Sequence, residues 1–346
     1  MSRLSQWLQS SSADWQPLGS SELPDHVIAL AWSPNGAYLA AATVSGPIAV
    51  LDGTTGREVE RVRGHGFGTT AVDWLDERTW LSAGQDGQIH RWEIGNHSPV
   101  QSWDGGAKWV ERLAVSRCRQ FVASGAGRQL RIWNRHGELL QSADDHASTV
   151  ADLAWRPHQT QVATAAFGGI RLYSPKLAQP VQSHAWKGSV LRIAWSPDGN
   201  YLATGDQDST VHFWIAATGE DLQMWGYPTK VLQLSWDPTS RYLATGGSNQ
   251  ITIWDCSGRG PEGTKPLALR GHDPRSSIAA LAFQHRGPKL VSGATDGRVI
   301  LWQPNKGSQL LRQHVIGPAI TQISWAGDDR RVAVGTEIGT VAIYRV

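Results

Sequence analysis

Along this chain apolar and polar positions alternate in short runs, and one run keeps returning. It reads VIALAWSPNGAYLAA from Val27, VLRIAWSPDGNYLATG from Val190 and VLQLSWDPTSRYLATG from Val231. Looser copies start at Thr69, Val110, Val150, Ile278 and Ile320. Alternation with a period of two predicts strands with one face against a core. The Pro-Asn-Gly or Pro-Asp-Gly that follows predicts a turn, because proline fixes φ and glycine accepts a positive one. A small-residue strand of the LATG type comes next, and its Ala, Thr and Gly let neighbouring sheets approach closely. A third strand then ends on a bulky residue: Leu51, Trp92, Trp133, Tyr173, Trp214, Trp254, Trp302 or Tyr344. A fourth, more variable strand precedes the next copy, as in residues 57–65 and 265–272.

The aligned anchors of the first strand are Trp32, Trp74, Val115, Trp155, Trp195, Trp236, Phe283 and Trp325. Their mean spacing is about 42 residues, the length of one four-stranded propeller blade. Eight copies in register, several opening on Gly-His and closing on an aromatic, resemble the WD-repeat family over residues 15–346. The resemblance implies an all-β fold, a single closed β-propeller. The count favours eight four-stranded blades, with seven, the commoner number in the family, as the runner-up. It also implies that an N-terminal strand closes the ring. Residues 15–26 (WQPLGSSELPDH) have the position and character of that strand, and the chain stops just after the third strand of copy eight. Residues 1–14 then form a short tail, in which Leu4, Trp7 and Leu8 are spaced for one face of a short helix tucked against the domain.

Composition narrows the function classes. The chain carries 32 Lys+Arg against 30 Asp+Glu, a net charge of +2, so no polybasic phosphate-binding surface is expected and no nucleic-acid partner. Two cysteines, Cys118 and Cys256, are too few for a disulfide framework or a Cys-based zinc site, so no disulfide-linked partner is expected. No run approaches eighteen apolar residues and the N-terminus lacks a signal-type apolar segment, so the expectation is a soluble cytoplasmic protein with no membrane contact. The 18 Trp and 37 Gly fit a β-rich repeat.

One constellation imitates an active site. Copies two, five and seven carry His65/Ser82/Asp86/Trp92, His184/Thr204/Asp208/Trp214 and His272/Ser292/Asp296/Trp302. Three copies of one triad in one chain argue against Ser-His-Asp catalysis. The resemblance instead implies a buried hydrogen-bonded network that ties the turn to the strands of each blade. His90, His97, His136, His158, His212 and His285 are scattered singly with no metal-ligand spacing. No catalytic, cofactor or metal residues are assigned, and the chain is read as not an enzyme.

In a propeller, the loops that enter each blade and the turns between second and third strands share one face. That face receives Phe67, Trp109, Phe167, Trp186 and Tyr227, with Lys108, Lys187, Lys230 and Arg275 beside them. Aromatic residues and arginine are the side chains that interface cores enrich and that dominate hot spots. Trp109 and Trp186 stand out because the repeat does not require them. The reading is a non-enzymatic scaffold or adaptor binding one or more proteins or peptides through this face. The alternatives are a small-molecule or enzymatic site at the channel mouth, where Glu337, Lys230, Gln85 and Gln207 could converge, and an assembly factor for a metallocentre or ribonucleoprotein. The longer interval between copies six and seven, with its excess in residues 256–266, is expected to protrude as a flexible loop on the opposite face.

Overall fold

The computed structural model describes residues 15–107, 109–258, 260–304 and 309–346. The expected helical face of the tail and the expected contact Lys108 lie outside the described residues. Described structure is all strand and turn.

Strand β1 is Pro17–Glu22. The first repeat forms β2–β5 (Val27–Trp32, Tyr38–Thr43, Ile48–Asp52, Glu58–Val62) and the second β6–β9 (Thr69–Trp74, Thr79–Gly84, Gln88–Glu93, Gln101–Asp104). The third is β10–β13 (Arg112–Val115, Phe121–Ala126, Gln129–Asn134, Leu139–Ala143). The fourth and fifth share β14 (Asp152–Trp155), β15 (Val162–Tyr173), β16 (Gln182–Trp195), β17 (Tyr201–Asp206), β18 (Val211–Ile215) and β19 (Asp221–Met224). The sixth is β20–β23 (Gln233–Trp236, Tyr242–Gly246, Gln250–Asp255, Leu267–Arg270) and the seventh β24–β27 (Ile278–Phe283, Leu290–Ala294, Arg298–Gln303, Gln309–Val315). The last strands are β28–β30 (Ile320–Trp325, Arg331–Thr336, Thr340–Arg345).

These strands form an antiparallel β-propeller. The described residues make seven hydrogen-bonded sheets, not the eight separate four-stranded sheets expected; seven was the runner-up. Six sheets have four strands, and the remaining one, β14 to β19, has six. The cause is the shortness of two connections. Gly168 and Gly169, both at positive φ, turn the chain inside β15, where the register of its pairing with β16 shifts between Phe167 and Gly169. The first half of β15 pairs with β14 (Asp152↔Ala165), the second half with β16 (Ile170↔His184), and the far half of β16 pairs with β17 (Ile193↔Thr204). Eight copies of the repeat are thus carried on seven sheets.

The anchors of the first strands link neighbouring repeats in one circuit. The indole of Trp74 donates to the Ala31 carbonyl at 2.9 Å, Trp155 to Ala114 at 3.0 Å and Trp195 to Ala154 at 3.2 Å. Trp236 donates to Ala194 at 3.0 Å and Trp325 to Ala282 at 2.8 Å. Where the anchor is Val115 or Phe283, its backbone N–H donates instead to Asp73 or Ser235 of the preceding repeat. Trp32 completes the circuit by reaching Ser324 of the last one at 3.0 Å. Each such bond is worth about 1 kcal/mol net.

The N-terminal strand sits where the resemblance implies. β1 pairs antiparallel with β30 (Ser20↔Ala342) and completes the last sheet. Trp15 is buried against the Tyr344 ring, and its indole donates to the Arg345 carbonyl.

Turn chemistry follows sequence closely. Gly36 and Gly199 take the positive φ of the Pro-Asn-Gly and Pro-Asp-Gly turns. Arg119, Ser240 and Asp329 take that φ without being glycine, and each makes a bond to another repeat that glycine could not. Arg119 donates to the Trp74 carbonyl, Ser240 Oγ accepts from Asp198 N–H, and the Asp329 carboxylate accepts from His285 and Arg286 N–H. Side-chain bonds between repeats thus offset the strain.

Candidate functional site

The constellation that imitates a triad is a closed structural network in two of its three copies. In the second repeat His65 Nε2 lies 2.8 Å from Ser82 Oγ and Nδ1 2.8 Å from Asp86, while the Trp92 indole donates to the same Ser82 oxygen. The seventh repeats this, with His272 at 2.8 Å from Ser292 and 3.3 Å from Asp296, and Trp302 donating to Ser292. Ser82 and Ser292 are fully buried and already engaged, so neither hydroxyl is presented to a substrate. Burial pushes the imidazoles of His65 and His272 below the ordinary histidine value, despite the aspartate beside each.

The fifth repeat does not form the network. Asp206 stands where the second repeat has Gly84, and a Cβ on Gly84 would lie 2.2 Å from the His65 ring. The Asp206 carboxylate accepts the Thr204 hydroxyl that His184 would have used, Asp208 accepts from Thr210, and the Trp214 indole is left without a partner. The Asp206 carboxyl is pushed up to about 7, chiefly by burial. Two other repeats improvise. His146 meets Thr164 Oγ1 at 2.8 Å, and Tyr227 takes the histidine's place in the sixth repeat, its hydroxyl meeting Thr245 at 2.8 Å and the Trp254 indole at 2.7 Å.

Tyr227 is therefore a correction to the expected interaction set: a half-buried network residue, with its hydroxyl pushed up to about 12 by burial. Trp186 is a second. It packs half-buried on the core of its sheet, with its ring centroid 4.0 Å from that of His212. Phe67, Trp109 and Phe167, by contrast, are 77%, 54% and 52% exposed. Lys187, Lys230 and Arg275 are exposed as well. In antiparallel four-stranded blades, loops leading into first strands and turns between second and third strands lie at one end. That end therefore carries all three aromatics, joined by Val44 (43% exposed) and Ile338 (56%). Sequence reading missed these two; the available signal was an apolar residue in a turn where the second and fifth repeats have Gln-Asp. Beside Phe167 a groove of about 310 Å³ runs between residues 145–147, 166–171 and 183–185.

Glu337 accepts the backbone N–H of Ala319 in its own sheet. Asp152 and Arg192 line a cavity among the first strands, and Asp152 lies 3.5 Å from the Arg112 guanidinium and 3.8 Å from that of Arg192. The larger cavity, about 1050 Å³, opens at the opposite end among Arg117, Arg119 and Arg286. Within the inserted loop Gly260 and Pro261 are buried, with Gly260 packed toward Phe213 and Leu222, while Ser257, Gly258, Glu262, Gly263, Lys265 and Pro266 are exposed. Nearby Trp225 is 78% exposed.

His90 is not isolated either. Its ring lies parallel to that of His65 at a centroid distance of 4.4 Å, and with Asp86 the pair brings three metal-type ligand atoms together. Spacing alone could not reveal this, because the three come from a loop, a turn and a strand. No helix among the described residues is long and apolar enough to cross a membrane.

Comparison with known proteins places this architecture. The chain is 25% identical to Protein FIZZY-RELATED 3 of Arabidopsis thaliana over 285 residues, which is 80% of this chain and 50% of that protein. It is 26% identical to the protein transport protein sec13 of Emericella nidulans over 204 residues, covering 54% and 57%. The chain spans about half the length of the curated relatives it matches. Among solved structures, the computationally designed Ika8 protein superimposes with a TM-score of 0.82 at 26% identity, covering 96% of this chain and all of the designed one. The family model for the WD domain, G-beta repeat, matches residues 15–54, 56–93, 97–134, 176–214, 220–255 and 263–303, most of the chain, and the protein belongs to that family.

Proposed function

We propose that the protein is a non-enzymatic adaptor that binds a protein or peptide partner through the loop face of its propeller. The observation that carries this reading is the run of exposed apolar side chains on that face: Ile338, Val44, Phe67, Trp109 and Phe167, from the last repeat through the fourth. Leaving such groups in water forfeits burial worth roughly 1.5–3 kcal/mol for each large side chain, which a partner recovers on docking. Lys187, Lys230 and Arg275 form a polar margin on the same face and would favour a partner with acidic flanks. The catalytic reading is disfavoured by the buried hydroxyls of Ser82 and Ser292. The family and its relatives support an interaction role by likeness, which is a weaker warrant than the site.

We also read the six-stranded sheet as two blades whose strands run into one another, which would make a closed ring of eight. The circuit of anchors, returning from Trp32 to Ser324, supports that count. A cytoplasmic setting accords with two unpaired cysteines, one exposed and one buried. A photo-crosslinking amino acid placed at Phe67, and in a second variant at Arg286 of the opposite face, tests the adaptor reading in the native host. Adducts with a defined protein at position 67 and none at 286 are expected; adducts only at 286 would move the site to the other face.

A further inference from the structure

We propose that His65, Asp86 and His90 form a binding site for one divalent transition-metal ion of the zinc class. The three ligand atoms lie within 4.8 Å of one another. His65 Nδ1 is 2.8 Å from Asp86 Oδ1, and His90 Nε2 is 4.0 Å from Asp86 Oδ2. Two imidazoles and one carboxylate are a donor set that suits zinc and its neighbours and leaves a coordination position open.

The outer partners hold these ligands in place. His90 Nδ1 lies 2.8 Å from Ser102 Oγ, and Ser82 Oγ lies 2.8 Å from His65 Nε2. In the His90 tautomer with Nδ1–H donating to Ser102 Oγ, the Nε2 lone pair faces the Asp86 carboxylate and is open to a cation. The proton count closes at the expense of one hydrogen bond, because the Ser82 hydroxyl no longer donates to His65 Nε2. His65 gives up the proton on Nδ1 and carries one on Nε2 instead. Ser82 Oγ, with two lone pairs, then accepts from His65 and Trp92 together. The seventh repeat has the same network but Ile300 in place of His90, and among the described residues only the second repeat assembles such a triple.

The test uses Zn²⁺ and Co²⁺ alone on the full chain. Chelator-competition titration should find one saturable Zn²⁺ per chain, with a rise in the thermal midpoint. His90→Asn, which spares the His65–Asp86–Ser82 network, should weaken binding roughly 100-fold without moving the metal-free midpoint, and Ser102→Ala about tenfold. Undiminished binding in His90→Asn and Ser102→Ala, or no saturable ion in the wild type, would overturn the proposal. So would a Co²⁺ spectrum with a thiolate charge-transfer band, which would assign the ion to exposed Cys118.

Discussion

Single side chains decide which repeats are locked. In the second repeat, Ser82→Ala strands His65 Nε2 and the Trp92 indole in a fully buried place, so it should cost about 1–3 kcal/mol in denaturant unfolding. Thr204→Ala, the equivalent change in the fifth repeat, should cost less, because His184 and Trp214 never engaged that hydroxyl. Equal losses would contradict the assignment of the two networks. Asp206 gives a prediction with a sign. Its carboxyl ionises at a higher pH in the fold than in the unfolded chain, so its contribution is full at acid pH and is lost as pH rises through about 7. Asp206→Asn should therefore stabilise the protein at pH 8 relative to pH 5, measured as the difference in thermal midpoint from wild type at each pH. A residue-by-residue alignment shows Asp206 in the place of Gly84. What it cannot show is that the carboxylate captures Thr204. Tyr227 was misread for a related reason: a Gly-Tyr standing where other repeats have Gly-His looks like a spare aromatic until its hydroxyl is placed.

Strands and turns were the most legible level. Alternation, the Pro-x-Gly turns and the tryptophan anchors all report local physics that tertiary contacts reinforce, and the closing strand β1 appears where its sequence put it. The fusion of the fourth and fifth repeats was not legible. It depends on how tightly Gly168-Gly169 and Lys187-Gly188 turn the chain, and composition does not fix that. The closure of the last sheet can be tested at Trp15. Trp15→Ala removes a buried ring and an indole bond to Arg345, and should destabilise by about 3–5 kcal/mol. A loss below about 1 kcal/mol would show that β1 holds the sheet without it.

Across the whole molecule, depressed histidines set a limit on acid stability. His146, His184 and His272 are all pushed below the ordinary value by burial. Their stabilisation is complete above the unfolded value near 6.5 and is lost as pH falls through the lower folded values, so the thermal midpoint should drop steadily below pH 6.5. A midpoint flat from pH 6.5 to 4 would contradict their burial as neutral rings. The proposed face was partly legible at this scale: Phe67, Trp109 and Phe167 were named from the loops and turns of the repeat, whereas Val44 and Ile338 sit in turns where only comparison with the Gln-Asp of other repeats marks them. The measurement that bears most directly on the adaptor reading is purification from the native host with wild type and a Phe67→Ser/Trp109→Ser/Phe167→Ser variant of unchanged thermal midpoint, beside an Arg117→Glu/Arg286→Glu control. The account predicts a stoichiometric protein partner with wild type and control that is lost in the triple variant; a partner retained by the triple variant and lost by the control would contradict it.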